Sequence, residues 1–184
     1  RHNMMHVYAR ARPTLLPKVM EQLAQIDEPV QNSFFIAINA CAHFRPSPVE
    51  LAVDLRDRML ARGLRMDARI LSALLRCCAY SEIRQEDLAK DILIHAVENG
   101  VKLNTHCLTS LRKAVGYERM RSLTWFCHDN YPGSTSKLPA RRKSEDIDGL
   151  GGDRGYGDWR DNDWAQGSSA PWIMSNEEIN ISRL

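Results

Sequence analysis

No apolar run in the 184 residues approaches the roughly 18 needed to cross a bilayer, so no membrane span is expected. No glycine-rich phosphate loop precedes a helical pattern, and there is no nucleophile elbow. The segment "GLGGDRGYG" at 149–157 is glycine-rich, but no strand pattern leads into it and no helical pattern follows. His95 and His106 lie among helical residues without a spaced carboxylate or cysteine partner. An enzyme, a cofactor and a small-molecule substrate are therefore not expected. The five cysteines Cys41, Cys77, Cys78, Cys107 and Cys127 include no CxxC pair. Cys41 with His43, and Cys127 with His128, do not have the spacing of a zinc finger or ribbon, and no metal site is expected. Core packing in a reducing compartment is the expectation instead. No secretory signal is visible. The first residue is Arg1 rather than Met, which predicts a processed product or a portion of something longer.

What the chain does have is an internal repeat with a spacing of 37 residues. "FFIAINACAH" from Phe34 aligns with "LSALLRCCAY" from Leu71 and with "LTSLRKAVGY" from Leu108. "ELAVDLRDRMLARGLRMD", ending at Asp67, aligns with "DLAKDILIHAVENGVKLN", ending at Asn104. Cys41 falls on Cys78, Leu51 on Leu88 and Gly63 on Gly100. A period of this size predicts stacked supersecondary units, each too small to bury its apolar face alone.

Within each unit the apolar period is helical. Phe34, Ile38, Cys41 and Ala42 fall at i, i+4, i+7 and i+8, predicting a helix from about Ser33 to Phe44. Pro46 and Pro48 break it, with Pro48 suited to the first turn of the next helix. That helix runs to about Arg62, burying Leu51, Leu55 and Met59, and Gly63 stops it. The next unit predicts helices around Ile70–Tyr80 and Glu86–Glu98. The expected organisation is a partial repeat at 1–30, full repeats at 31–67 and 68–104, a degenerate capping repeat at 105–138, and a tail at 139–184. The expected fold class is all-α, a solenoid of stacked antiparallel helix pairs with an extended irregular C-terminal tail.

The net charge of +2 hides a division. Residues 145–184 hold three basic and nine acidic residues, which leaves a body of net +8. A basic body with an acidic tail suits a nucleic-acid binder, although ordinary charge scatter on a soluble domain looks similar. The tail has six of the ten glycines and the tryptophans Trp159, Trp164 and Trp172. Such a composition does not bury enough apolar surface to offset ordering entropy by itself. Aromatic anchors in a polar strip predict a partner-binding segment, with folding back on its own body as the alternative.

"NSFFIAINACAHF" resembles the first helix of a pentatricopeptide repeat, in which an aromatic precedes an apolar stretch and a small-residue "NACA"-like segment. "ELAVDLRDRMLARGLRMD" and "DLAKDILIHAVENGVKLN" resemble its second helix and close, with acidic-Leu-Ala, a glycine, and a final Asp or Asn. The resemblance covers 31–104 well, 1–30 and 105–138 weakly, and the tail not at all. The tetratricopeptide pattern, with its bulky residue and Gly-Tyr in the first helix, is absent.

The resemblance implies first helices lining a concave face and one RNA base presented to two side chains per repeat. Carried over, the base-contact candidates are Phe35, Asp67, Ser72, Asn104 and Thr109. Phe35 departs from the pattern: it has no hydrogen bond to offer a base edge but can stack on one. Small polar residues also cap helices whether or not RNA is present, so capping stands as the alternative for Ser72, Asn104 and Thr109. Phosphate contact needs only positive charge and reach. Its candidates are Arg62, Arg65, Arg69, Arg76, Arg112, Lys113, Arg141, Arg142 and Lys143. The function expected is that of a non-catalytic RNA-associated subunit of an organellar ribonucleoprotein, with a mitochondrial ribosome first. RNA, ribosomal RNA above all, and neighbouring proteins are the expected partners, in a mitochondrion or alternatively a plastid. A sequence-specific RNA processing or stability factor, and a purely protein-binding scaffold, are the alternatives.

Overall fold

In the computed structural model, eight helices follow one another and no strand forms among the described residues, which are 2–11 and 14–135. These residues belong to a unit spanning Arg1–Ala140. The tail candidates Arg141, Arg142, Lys143, Trp159, Trp164 and Trp172 lie outside the described residues, as does all of 139–184. No described helix is long and apolar enough to cross a membrane.

The helices are α1 (His2–Arg10), α2 (Leu16–Ala24), α3 (Gln31–His43), α4 (Val49–Ala61), α5 (Ala68–Tyr80), α6 (Glu86–Glu98), α7 (Thr105–Val115) and α8 (Tyr117–Asn130). Their ends follow from local chemistry. Gly63 and Gly100, 37 residues apart, have φ of +72° and +79°. Each lets two backbone amides fold back on the helix it ends. Gly63 N–H donates to the Leu60 carbonyl at 2.9 Å and Leu64 N–H to that of Met59 at 3.3 Å. Gly100 N–H donates to Val97 at 2.9 Å and Val101 N–H to Ala96 at 3.0 Å. This double closure requires a residue with positive φ, which glycine adopts without the Cβ penalty. At the other ends, Asp67 and Asn104 are N-caps of α5 and α7, their carboxylate and amide oxygens accepting from the free amides of the first turn.

Each odd-numbered helix packs on the next odd one, α1 on α3, α3 on α5 and α5 on α7, and also on the even helix that follows it. The even helices α2, α4 and α6 make no close backbone approach to one another. α3 is therefore enclosed on most sides. Besides the expected Phe34, Ile38, Cys41 and Ala42, it buries Ile36, Ala37 and Ala40. The repeat register holds in the packing: Ala37, Leu74 and Leu111 are equivalent and all buried, as are Cys41 and Cys78, and Ala52 and Ala89. One apolar cluster runs from Met5 to Cys127.

All five cysteines are buried free thiols. Burial raises their pKa, to about 11 at Cys77 and Cys127 and about 12 at Cys78. Two of them donate across units: Cys77 Sγ to the Ile38 carbonyl at 3.8 Å, and Cys107 Sγ to that of Ala68 at 3.2 Å.

Candidate nucleic-acid interface

Charge is divided by helix number. The odd helices α1, α3, α5 and α7 contain no Asp or Glu. Their formal charges are Arg10, Arg69, Arg76, Arg112 and Lys113. The even helices hold ten carboxylates against six Lys and Arg. Basic residues on the even side are correspondingly engaged: Arg58 with Asp54 at 3.7 Å, Arg56 with Asp57 at 2.8 Å, Arg121 with Glu118 at 3.5 Å. Arg119 of α8 pairs with Glu86 of α6 at 2.9 Å and also with Asp87. Such pairs leave little positive potential for a ligand. On the odd helices no carboxylate of the same element competes with an incoming anion.

The 37-residue register brings the odd-helix side chains into rows. Phe35, Ser72 and Thr109 form one row, and Asn39, Arg76 and Lys113 another. The first row lies near the N-terminal ends. Phe35 is half-buried against the core, and the Arg69 guanidinium lies 5.0 Å above its ring. Arg69 also holds Asp67 through two side-chain hydrogen bonds of 3.0 and 2.9 Å. Asp67 Oδ1 meanwhile accepts from the amides of Arg69 and Ile70 at 3.0 and 2.9 Å. Asn104 Oδ1 accepts from the Cys107 amide at 3.0 Å. Ser72 Oγ meets Ser110 Oγ at 2.9 Å, and Thr109 Oγ1 donates back to the Thr105 carbonyl at 2.9 Å. The polar candidates for base contact thus all take part in bonds within the chain, and Asp67 and Asn104 serve as caps. Arg62 and Arg65 are exposed around the end of α4, with Arg62 lying 5.7 Å over the Phe34 ring. Arg112 is exposed on α7.

The second row lies near the C-terminal ends of α3 and α5. Arg76 donates to the Asn39 side-chain oxygen, and its Nε is buried with no hydrogen-bond partner. Tyr80, one turn further along α5, has the Arg45 guanidinium 4.0 Å above its ring and accepts a 3.0 Å hydrogen bond from Lys113 Nζ at its hydroxyl. Arg45 follows α3 and donates at 2.7 Å to both the Ala42 and Phe44 carbonyls, so it also closes that helix end. Burial lowers the pKa of both Arg45 and Arg76, and the positive charge of Arg45 adds to the lowering at Arg76. Neither makes an ion pair among the described residues. Sequence reasoning had Arg76 and Lys113 but missed Arg45, Asn39 and Tyr80. The available signal was the register itself, which aligns Asn39 with Arg76 and Lys113.

Compared with protein-family models, curated proteins and solved structures, the chain matches none.

Proposed function

We propose that the body is a solenoid of pentatricopeptide type that works as a non-catalytic, RNA-associated subunit of an organellar ribonucleoprotein, a mitochondrial ribosome being the first candidate. The observation that carries the reading is the absence of Asp and Glu from all four odd helices. A polyanion gains from a surface without carboxylates, because every phosphate neutralised releases counterions and no fixed negative charge opposes it. The packing supports the same reading. A stack in which odd helices approach each other closely and α2, α4 and α6 stand apart curves toward the odd side. On this reading the carboxylate-free helices line the inner wall.

Backbone contact fits better than base reading. The cap oxygens at Asp67 and Asn104 already accept amide hydrogens, so turning them to a base would strip a helix end of its partners. A protein-binding scaffold is the second reading, favoured by Met4 and Val7, exposed at 45% and 59% and one turn apart on α1.

Crosslinking in the native organelle, with identification of bound RNA and proteins, tests the proposal. Crosslinks confined to ribosomal RNA with ribosomal neighbours are expected. Crosslinks at a few messenger sites would replace it with a processing factor, and protein crosslinks without RNA would replace it with the scaffold.

A further inference from the structure

Two guanidinium groups, a tyrosine and a lysine from three units converge where α3 and α5 end. Like charges held together and partly out of water are unfavourable unless an anion joins them. Usually a nearby Asp or Glu is that anion. Here the elements that build the cluster supply none: α3, α5, α7 and the connection at 44–48 contain no carboxylate. The acids nearest along the chain, Glu50, Glu82 and Glu118, are exposed and form no ion pair with Arg45 or Arg76 among the described residues.

The donors are also arranged for an acceptor that the described residues do not supply. Arg76 Nη2 is taken by Asn39, which fixes the guanidinium plane and leaves the buried Nε–H without a partner. A buried, unsatisfied donor on a charged group is expensive, and an oxygen anion at the half-buried guanidinium offsets that cost through charge-assisted bonds. Tyr80 links the other two cations, with Arg45 stacked on its face and Lys113 bonded to its hydroxyl. The Arg45 side chain is held by the Ala42 and Phe44 carbonyls rather than by a counter-charge, and no ion pair among the described residues compensates it.

We propose that Arg45, Arg76 and Tyr80, with Lys113 beside them, form a binding site for a phosphate group. On the functional reading above, on which this choice of source rests, the phosphate is a backbone phosphodiester of single-stranded RNA. The site is separate from the base-contact row at Phe35, Ser72 and Thr109. It sits about one helical turn further along each odd helix.

The test uses the full chain and two probes. A fluorescent 15-nucleotide oligouridine is titrated by anisotropy between 50 and 300 mM KCl. Inorganic pyrophosphate is titrated while the arginine Nε–H signals are followed by NMR, with Arg76 assigned from Arg76→Lys. Losing one phosphate contact lowers the salt slope for a single strand by about 0.7, which is about a fourfold loss of affinity at 150 mM salt. Arg45→Gln and Arg76→Gln should each show that loss. Arg76→Lys should restore most of the slope, and Arg58→Gln, already paired with Asp54 on α4, should change little. Arg45 is exposed, so Arg45→Gln remains informative even if Arg76→Gln perturbs the fold. Pyrophosphate should shift the Arg76 Nε–H signal in the unmodified chain and fail to do so in Arg45→Gln. RNA binding with an unchanged slope in both glutamine variants, and no pyrophosphate shift, would overturn the site while leaving RNA association standing. A pyrophosphate shift without any RNA binding would overturn RNA as the source and keep the site for a free or small-molecule phosphate. No response to either probe would overturn both.

Discussion

Replacing the two unit-closing residues separates capping from base reading. Asp67 Oδ1 satisfies two of the four free amides at the start of α5, those of Arg69 and Ile70. Asn104 satisfies one at the start of α7, that of Cys107. Removing an N-cap side chain costs about 0.5–2 kcal/mol. With two bonds lost, Asp67→Ala belongs in the upper half of that range, and Asn104→Ala near 1 kcal/mol. The Arg69–Asp67 ion pair adds little, because both side chains are partly exposed at 59% and 31% and the pair is screened by water. For a body of this size 1 kcal/mol moves Tm by about 3–5 °C. Urea unfolding of the full chain followed by helical circular dichroism measures the cost. Asp67→Ser and Asn104→Ser keep a cap oxygen and should recover all but a few tenths of a kcal/mol. The preference between adenine-rich and uridine-rich strands, measured in the same variants, should be unchanged by the serine substitutions. If Asn104→Ala left the urea midpoint in place and instead abolished a base preference, the capping argument would be refuted and the residue would be a base reader.

Three more outcomes follow from the packing. Gly100→Ala should destabilise by about 1–2 kcal/mol, because φ is +79° and nothing lies within 4 Å of an added Cβ, so the whole cost is backbone conformation. A chemical-denaturation midpoint equal to that of the unmodified protein would sink this. Cys78→Asp should unfold its unit, since Cys78 is fully buried and the nearby Arg56 is already paired with Asp57, whereas Cys78→Ala should leave a folded protein; near-normal helicity in the aspartate variant would show the site to be open to water. Stability should fall with alkaline pH. Unfolded thiols ionise near 9.0, whereas the native Cys77 and Cys127 hold their protons to about 11, so the unfolded state releases protons first. That contribution is fully present below pH 9 and lost progressively as pH rises toward 11. Thermal unfolding in a pH series checks it, and a flat profile across that window would contradict the burial argument.

Much of the helical plan was readable from local signals. α6 occupies Glu86–Glu98 as the periodicity predicted, and Gly63 and Gly100 stop α4 and α6 through the backbone closure that glycine permits. α3 begins at Gln31 rather than Ser33, because its N-cap is Val30, in extended backbone and without a side-chain cap, while Ser33 is buried inside the helix. A search for polar caps passes over such a start. Pro48 stands at the N-cap of α4 rather than in its first turn. The site was harder to read. Charge averaged along the chain gave a basic body, but the division lies between alternate helices and is visible only once each carboxylate is assigned to its element. Arg45 follows a helix break and belongs to no periodic pattern, so only the folded arrangement brings it to Tyr80.

The unequal contact between odd and even helices has a mechanical consequence. α1, α3, α5 and α7 form an unbroken row, like the spine of a book, while α2, α4 and α6 make no close backbone approach to one another. Opening or closing the gaps between these leaves is resisted mainly by their attachment to the spine, so the body is stiff along its odd side and compliant across its even side. The Arg119 link from α8 to Glu86 and Asp87 fastens the last pair and makes that end the stiffer one. A stiff odd side with a more yielding even side can adapt to an irregular surface without rearranging the odd-helix side chains.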